Sequence, residues 1–213
     1  MARVIFAVAT AVGCAALPSA AQAATPPQAV VIGASHICLR VSPAAVSAIV
    51  GYTVPAPTSD TGSSVIDQAL NLSETYASCI FEVAGTAATP FASKSVDLDS
   101  YVFSKSVTVA TLKAVAAADQ EKALRKSKVN NFKVTYSNYP GLGVTAIYYT
   151  LTASFGLPKG VTLPKGFTLP KSLGFAYSGI ATLDGTKSFA ASVNNDTIAQ
   201  SKLAALVQLA MKI

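Results

Sequence analysis

The chain contains three cysteines, and their positions constrain its fold more than any other feature of the sequence. Cys14 lies in an apolar N-terminal segment, whereas Cys38 and Cys79 lie in the part that is expected to fold. Because exported proteins fold in an oxidising space, this remaining pair predicts one disulfide, Cys38–Cys79. A redox-active pair is the alternative, but such pairs typically have a Cys-x-x-Cys spacing. A structural bridge would stabilise the fold by about 4 kcal/mol.

The first 23 residues are predicted to be a signal peptide. Arg3 precedes an apolar run that ends before Ala21-Gln22-Ala23, a small-x-small cleavage pattern. The run is shorter than the roughly 20 residues needed to cross a bilayer. We therefore expect a protein that is secreted or associated with the cell envelope. In the alternative localisation, Ala11-Val12-Gly13-Cys14 is a loose lipobox and the protein is a lipoprotein anchored through Cys14.

The chain is basic but carries few charges. Its formal net charge is +6, yet charged residues make up 12% of it, against about 25% in typical globular proteins. A predicted helix over 107–127 ends in four cations, which resemble a nucleic-acid patch. Cations at a helix C-terminus are favoured by the helix dipole, so we expect no nucleic-acid partner. After the leader, no segment is apolar and long enough to predict a transmembrane helix.

The order of predicted elements indicates an α+β fold, with a mostly antiparallel sheet and helices packed against it. Residues 24–37 are expected to be a flexible leader, and 38–213 a single domain. Ser42 caps a short helix that has Pro43 in its first turn and ends at Gly51. Residues 55–64 are predicted to form a polar loop. Strands are predicted over 75–84, 94–103, 132–139, 144–155, 175–183 and 187–193, with a tight turn at 184–185 and a closing helix over 196–211.

The stretch LPKGVTLPKGFTLPK, residues 157–171, repeats a six-residue phrase. Its prolines disfavour both helix and interior strand, so a polyproline II connection is predicted. With three residues per turn, Lys159, Lys165 and Lys171 would share one edge at intervals of about 19 Å. They are candidates for binding an anionic envelope polymer or membrane surface. At roughly 1 kcal/mol per lysine the contribution would be small, so a plain connection between strands is the competing interpretation.

The sequence motifs typical of common catalytic and metal sites are missing from the chain. His36 is the only histidine, so a multi-histidine metal site is excluded, and we expect no metal and no cofactor. Asp97 and Asp99 would share one face of a strand, where paired carboxylates can do acid–base work, although a solvated strand face is the more ordinary interpretation. Four tyrosines in two neighbouring strands could line a ligand groove or simply pack in the sheet: Tyr136, Tyr139, Tyr148 and Tyr149.

The segment Cys38-Leu39-x-Val41-Ser42, followed by Val46, Val50-Gly51 and then Ser78-Cys79-Ile80-Phe81, resembles a known N-terminal pattern. It is similar to that of small secreted proteins and lipoproteins of unknown function that are common in actinobacteria. Gly141-Leu142-Gly143-x-x-Ala146, the last strand pair and the closing helix also fit their usual order. The resemblance implies an α+β sandwich, PsbP-like in type, and no catalytic residues. The repeat at 157–171 is not part of that pattern.

These observations favour an exported, non-catalytic binding or accessory protein of the cell envelope or extracellular space. One alternative is a secreted enzyme with an unrecognised carboxylate or serine site. Another is a secreted inhibitor or interaction protein that uses residues 157–171 as its contact. Polar groups converging in a pocket near Asp97 or the tyrosines would favour the enzyme, and a shallow surface would favour the binding protein. The sequence specifies neither the ligand nor the oligomeric state.

Overall fold

A computed structural model of the chain describes residues 37–85, 93–115, 129–156 and 172–212. Within these residues, seven strands form an antiparallel sheet with the order β1-β2-β3-β7-β6-β5-β4. The strands are β1 (Thr58–Asp67), β2 (Leu72–Val83), β3 (Lys94–Phe103), β4 (Val129–Asn138), β5 (Thr145–Gly156), β6 (Ser172–Leu183) and β7 (Lys187–Asn194). The helices are α1 (Ile37–Arg40), α2 (Pro43–Val50), α3 (109–115) and α4 (Gln200–Met211). The predicted α+β class is confirmed.

Helix α2 has the predicted start and end. The backbone N–H of Ala45 donates to Ser42 Oγ at 3.2 Å, and Pro43 occupies the first turn. Gly51 ends the helix in the left-handed region (φ 91°), and its N–H donates to the Ser47 carbonyl at 2.8 Å. Local side-chain chemistry therefore fixes both ends of this helix.

The disulfide joins Cys38 of α1 to Cys79 of β2, as predicted. Their Cα atoms lie 5.1 Å apart, within the usual range for a bridge. Cys79 is fully buried, so the bridge enters the hydrophobic core and holds α1 against the sheet. Within the described part of the chain, no helix is both long and apolar enough to cross a membrane.

The two faces of the sheet differ in what covers them. On the helical face, buried side chains such as Val96, Leu98 and Val193 pack with residues of α1, α2 and α4. The fully buried positions of α4 form the side that packs on this face: Leu203, Leu206, Val207 and Ala210. On the opposite face, which we call the polar face, the central strands carry Asp99 and Tyr101. Leu112 and Val115 of α3 belong to the hydrophobic cluster on this face.

The prediction of a polar loop over 55–64 was wrong, because β1 begins at Thr58. This strand pairs with β2 from Thr58↔Ile80 to Val65↔Ser73 and forms one edge of the sheet. An edge strand has a single neighbour, so it can form from small polar residues without a hydrophobic stripe. Its pattern of serine and threonine therefore gave no strand signal.

The remaining boundaries agree closely with the sequence. At the predicted turn, Asp184 and Lys187 exchange two backbone hydrogen bonds of 3.0 and 2.9 Å, and Gly185 has a φ of 59°. β5 lies between β4 and β6, so it is an interior strand of the sheet. Of the predicted helix over 107–127, residues 109–115 are helical and those from 116 lie outside the described residues. The closing helix begins at Gln200, four positions later than predicted.

Candidate functional site

The polar face places hydrophilic side chains in the middle of the sheet. β3 supplies Asp97 and Asp99, and the register puts Ser192 of β7 opposite Asp97 and Ser78 of β2 opposite Asp99. Tyr149 of β5 lies in the same row as Ser192, because both pair with Gly179 of β6. We call the following set the polar cluster: Glu74, Ser78, Asp97, Asp99, Tyr101, Tyr149, Ser188 and Ser192.

Most of the polar cluster is buried. Asp99 is 4% exposed, Tyr101 2% and Tyr149 1%, while Asp97 is half-buried. The expectation of a solvated strand face was therefore wrong for Asp99. The physical reason is that this face does not meet water directly, since Val107 and Leu112 pack into the same hydrophobic cluster as the two tyrosines.

Gly179 positions Tyr149. A Cβ atom at Gly179 would lie 2.5 Å from both Cζ and Oη of Tyr149 and 2.7 Å from the Ala191 carbonyl oxygen. The tyrosine ring therefore lies across β6, with its hydroxyl toward Ser192. Gly62 gives similar room to Tyr76, whose Oη would lie 2.8 Å from a Cβ there. Sequence reasoning missed both pairs, although an isolated glycine inside a strand is a signal for close approach.

Burial and negative charge act together on the tyrosines. Burial raises the pKa of Tyr101 well above its usual value, and the neighbouring Asp99 carboxylate raises it further. Burial likewise raises the pKa of Tyr149, and Asp99 and Asp97 add to the effect. Both phenols therefore stay protonated at physiological pH, so they can donate hydrogen bonds but cannot act as bases.

Glu74 lies on the same face, beside the edge strand. Its Oε1 accepts a hydrogen bond from Ser64 Oγ at 3.0 Å, whereas Oε2 is buried and has no partner in the described residues. Burial raises the pKa of this carboxyl group, and the nearby Asp99 adds to the rise, while the Ser64 hydrogen bond opposes it. The side chain is thus a second acidic group near Asp99, and it holds its proton more tightly than a free glutamate does.

Several polar atoms of the cluster are buried without a hydrogen bond to any residue that the structure describes. They are Ser78 Oγ, Asp99 Oδ1, Tyr101 Oη, Tyr149 Oη and Ser188 Oγ, in addition to Glu74 Oε2. Although Tyr101 lies near Asp99 and Tyr149 near Ser192, neither hydroxyl makes a hydrogen bond of normal geometry to that neighbour. Each unsatisfied group costs about 1–3 kcal/mol, and a whole domain is stable by only about 5–15 kcal/mol. An arrangement that lowers the stability of the folded protein by this much requires an explanation.

The other sequence candidates do not join this cluster as one group. Tyr136 contacts Tyr149 on the polar face, with ring centroids 6.5 Å apart, whereas Tyr139 and Tyr148 pack on the helical face. The four tyrosines therefore do not line one groove. The repeat with Lys159, Lys165 and Lys171 lies outside the described residues. Across the described ranges, no group of three or more cysteine, histidine, aspartate or glutamate side chains could hold a metal ion.

A second polar group is structural in character. Lys94 Nζ lies 3.2 Å from Asp196 Oδ1 and 5.4 Å from the centroid of the Tyr52 ring. Burial raises the pKa of Tyr52, and Asp196 raises it further. The three side chains connect the end of α2, the start of β3 and the segment before α4. These three side chains contact one another, and we therefore interpret them as stabilising the packing of these elements.

Neither a protein-family model nor a curated protein matches the chain. Among solved structures, it is similar to the extracellular domain of PknH from Mycobacterium tuberculosis. The identity is 11%, the TM-score is 0.40, and the match covers 83% of this chain and 94% of that chain. At that TM-score the likeness carries no argument about function. The resemblance to the actinobacterial family stays a prediction.

Proposed function

We propose that this protein is an exported, non-catalytic binding or accessory domain of the cell envelope or extracellular space, and that the polar cluster is its binding site. The observation that carries this proposal is the set of buried, unpartnered polar atoms on the polar face. Binding sites are often largely apolar surfaces with a few fixed polar groups. The hydrophobic surroundings of Tyr101 and Tyr149 fit that description.

Export is supported by the disulfide. Its buried position between α1 and β2 gives it a structural role, and such bridges persist in oxidising compartments. The predicted signal peptide over residues 1–23 points to the same compartment. A mature chain that begins at a free Ala24 would diffuse freely, whereas one that begins at an acylated Cys14 would be anchored to a membrane.

Binding is favoured over catalysis by the contacts of the serines. A serine nucleophile needs a base within hydrogen-bond reach. Ser78 Oγ and Ser188 Oγ form no hydrogen bond with any described carboxylate, so these two serines lack such a base, unlike Ser64, which donates to Glu74 Oε1 at 3.0 Å. Tyr101 and Tyr149 remain protonated because their pKa values are raised, so neither supplies that base.

A secreted enzyme is the second candidate, favoured by the two aspartates and by the convergence of polar groups near Asp97 and the tyrosines, which is the arrangement expected of an enzyme. Asp97 and Asp99 occupy alternate positions of β3, which places their Cα atoms about 7 Å apart. Inverting glycosidases hold two carboxyl groups roughly 6.5–9.5 Å apart, a separation that side chains on Cα atoms this far apart can adopt. Turnover of chromogenic glycosides by the wild type, lost in Asp97→Asn and Asp99→Asn, would establish the enzyme and refute the non-catalytic proposal.

Two measurements test the proposed function. Intact mass spectrometry of the protein from its native compartment should show a free N-terminus at Ala24 or an acylated Cys14, with both remaining thiols oxidised. Thermal unfolding with a small-molecule extract of the native envelope should then show a rise in Tm for the wild type. Asp99→Asn should abolish the rise, and the exposed turn variant Asp184→Asn should keep it. An equal rise in all three proteins would remove the polar cluster as the site.

A further inference from the structure

We infer that the polar cluster binds a small organic cation, an amine or quaternary ammonium group, held by the carboxylates of Asp97 and Asp99 and by the rings of Tyr101 and Tyr149. This inference rests on the proposed function, because it names the ligand class of the same site. It depends on the sign of the charge on the polar face, the burial of that charge and the type of side chain around it.

The polar face is acidic although the chain as a whole is basic. Glu74, Asp97 and Asp99 all lie on this face, in a protein with a formal net charge of +6. Side chains alternate between the two faces along each strand, and this alternation places the lysines of the described strands on the helical face: Lys94, Lys133 and Lys187. Lys113 of α3 is exposed to solvent. The negative charge of the cluster therefore has no lysine from these elements beside it.

Burying carboxylates without a counter-charge is costly. Asp99 is 4% exposed and Glu74 3%, and each has a buried oxygen without a hydrogen-bond partner in the described residues. A neutral polyol could supply hydrogen bonds but would leave the charge uncompensated. A cationic ligand compensates the charge: an ammonium group also donates N–H hydrogen bonds to the carboxylates, whereas a quaternary ammonium places its positively charged methyl groups against them.

The aromatic side chains favour an organic cation over a metal ion. Tyr101 and Tyr149 border the carboxylates, and each has a second ring behind it: Phe103 at a centroid distance of 6.1 Å and Tyr136 at 6.5 Å. Ring faces attract ammonium groups by cation–π interaction. Hard metal ions instead require about six oxygen ligands, and among the described residues no three carboxylate, histidine or cysteine side chains are arranged so that they could hold a metal ion.

The unpartnered phenols give independent support for a ligand. Tyr149 Oη and Tyr101 Oη are buried without a hydrogen bond to any described residue, and Tyr149 is directed over Gly179 toward the row that holds Asp97. A protonated phenol next to carboxylates can donate to an oxygen of the ligand, such as an alcohol near its ammonium group. The ligand expected here therefore carries a cationic head and at least one hydroxyl or carbonyl oxygen.

Isothermal titration of the mature, disulfide-bonded protein tests the inference with two defined probes. Choline carries a quaternary nitrogen, and dimethylbutanol is its uncharged isostere with carbon in that position. We expect choline to bind at least about tenfold more tightly than dimethylbutanol, since a desolvated cation–π contact alone accounts for that ratio. Asp99→Asn should weaken choline binding about tenfold or more, while Asp184→Asn should bind it like the wild type.

Further variants keep the test decisive. Asp97→Asn repeats the experiment at a half-buried position if Asp99→Asn fails to fold, as judged by circular dichroism. Tyr149→Phe retains the ring but loses the hydroxyl that would donate to the alcohol of choline, so choline affinity should fall by about two- to tenfold without being abolished. Equal binding of both probes would overturn the cation inference, as would the absence of choline binding. Tighter binding of myo-inositol, lost in Tyr149→Phe, would also overturn it in favour of a polyol. The envelope-extract experiment stands apart, because a Tm rise there would preserve the binding function after either failure.

Discussion

Gly179→Ala is the substitution for which the structure makes the sharpest stability prediction. The new Cβ would meet the Tyr149 ring at 2.5 Å and the Ala191 carbonyl oxygen at 2.7 Å, and both distances are too short for real contacts. Tyr149 is 1% exposed and the carbonyl belongs to the backbone of β7, so neither can move freely. Overpacking of a core costs about 1–3 kcal/mol, and two clashes place this site near the upper end. Alanine recovers about 0.5–1 kcal/mol of chain entropy relative to glycine, which leaves a net loss of about 2 kcal/mol.

Gly62→Ala is the matched control, because a Cβ at Gly62 would also meet a tyrosine ring, that of Tyr76, but at the edge of the sheet instead of its interior. Its Cβ would lie 2.8 Å from Tyr76 Oη, at the far end of a half-buried side chain beside the edge strand. Because that ring is half-buried whereas Tyr149 is 1% exposed, it should yield more readily, so the gain in chain entropy should largely offset the contact and leave stability changed by less than about 0.5 kcal/mol. Urea denaturation at equilibrium, followed by circular dichroism, would measure both variants against the wild type.

The two variants together test the position of the Tyr149 ring. Gly179→Ala should also weaken ligand binding. The added methyl group would displace the Tyr149 ring, so its hydroxyl would no longer lie over β6 and be directed toward Ser192 and Asp97. Equal losses of stability in the two variants would refute this reasoning. So would a Gly179→Ala protein as stable as the wild type, since the tyrosine could not then lie across β6.

Three further predictions concern the disulfide, Glu74 and the repeat. Replacing Cys38 and Cys79 by serine should lower the free energy of unfolding by about 4 kcal/mol, because the bridge closes a loop with a sequence separation of 41 residues; a loss below about 1 kcal/mol in urea denaturation would contradict it. The pKa of Glu74 is raised above 4.5 by burial, so the folded state holds its proton more tightly and stability declines as the pH rises through the folded-state pKa. Glu74→Gln should remove that decline and be the more stable protein at pH 7, and an unchanged pH profile of unfolding would exclude it. Replacing the three lysines of residues 157–171 by glutamine should reduce salt-dependent retention on anionic envelope fractions, and unchanged retention would identify the repeat as a plain connection.

Local chemistry determined the elements that could be predicted. Ser42, Pro43 and Gly51 specify the ends of α2 through contacts within a few residues, and Asp184-Gly185 specifies a turn in the same way. The disulfide followed from a count, because exported cysteines tend to pair. These features do not depend on what lies elsewhere in the fold.

Features that depend on neighbours in space could not be predicted with the same certainty. β1 is a strand because β2 offers it a complete row of backbone partners, which its own serines and threonines do not indicate. Asp99 looked like a solvated residue because alternation along β3 specifies a face but not what covers that face. The contact between Tyr149 and Gly179 joins positions thirty residues apart, and it arises only from the pairing of β5 with β6.

The unpartnered serines separate a binding role of the polar cluster from a purely structural one. Ser78→Ala and Ser188→Ala remove buried hydroxyls that make no hydrogen bond within the described residues. If these hydroxyls serve a ligand, the free protein carries their desolvation cost, and each alanine variant should be more stable by about 1 kcal/mol while binding the ligand less tightly. If they instead hold the sheet together, each variant should be less stable and its ligand affinity unchanged. Denaturation and titration of the same two proteins decide between these opposite pairs of results, because a structural hydroxyl cannot give a gain in stability together with a loss of binding.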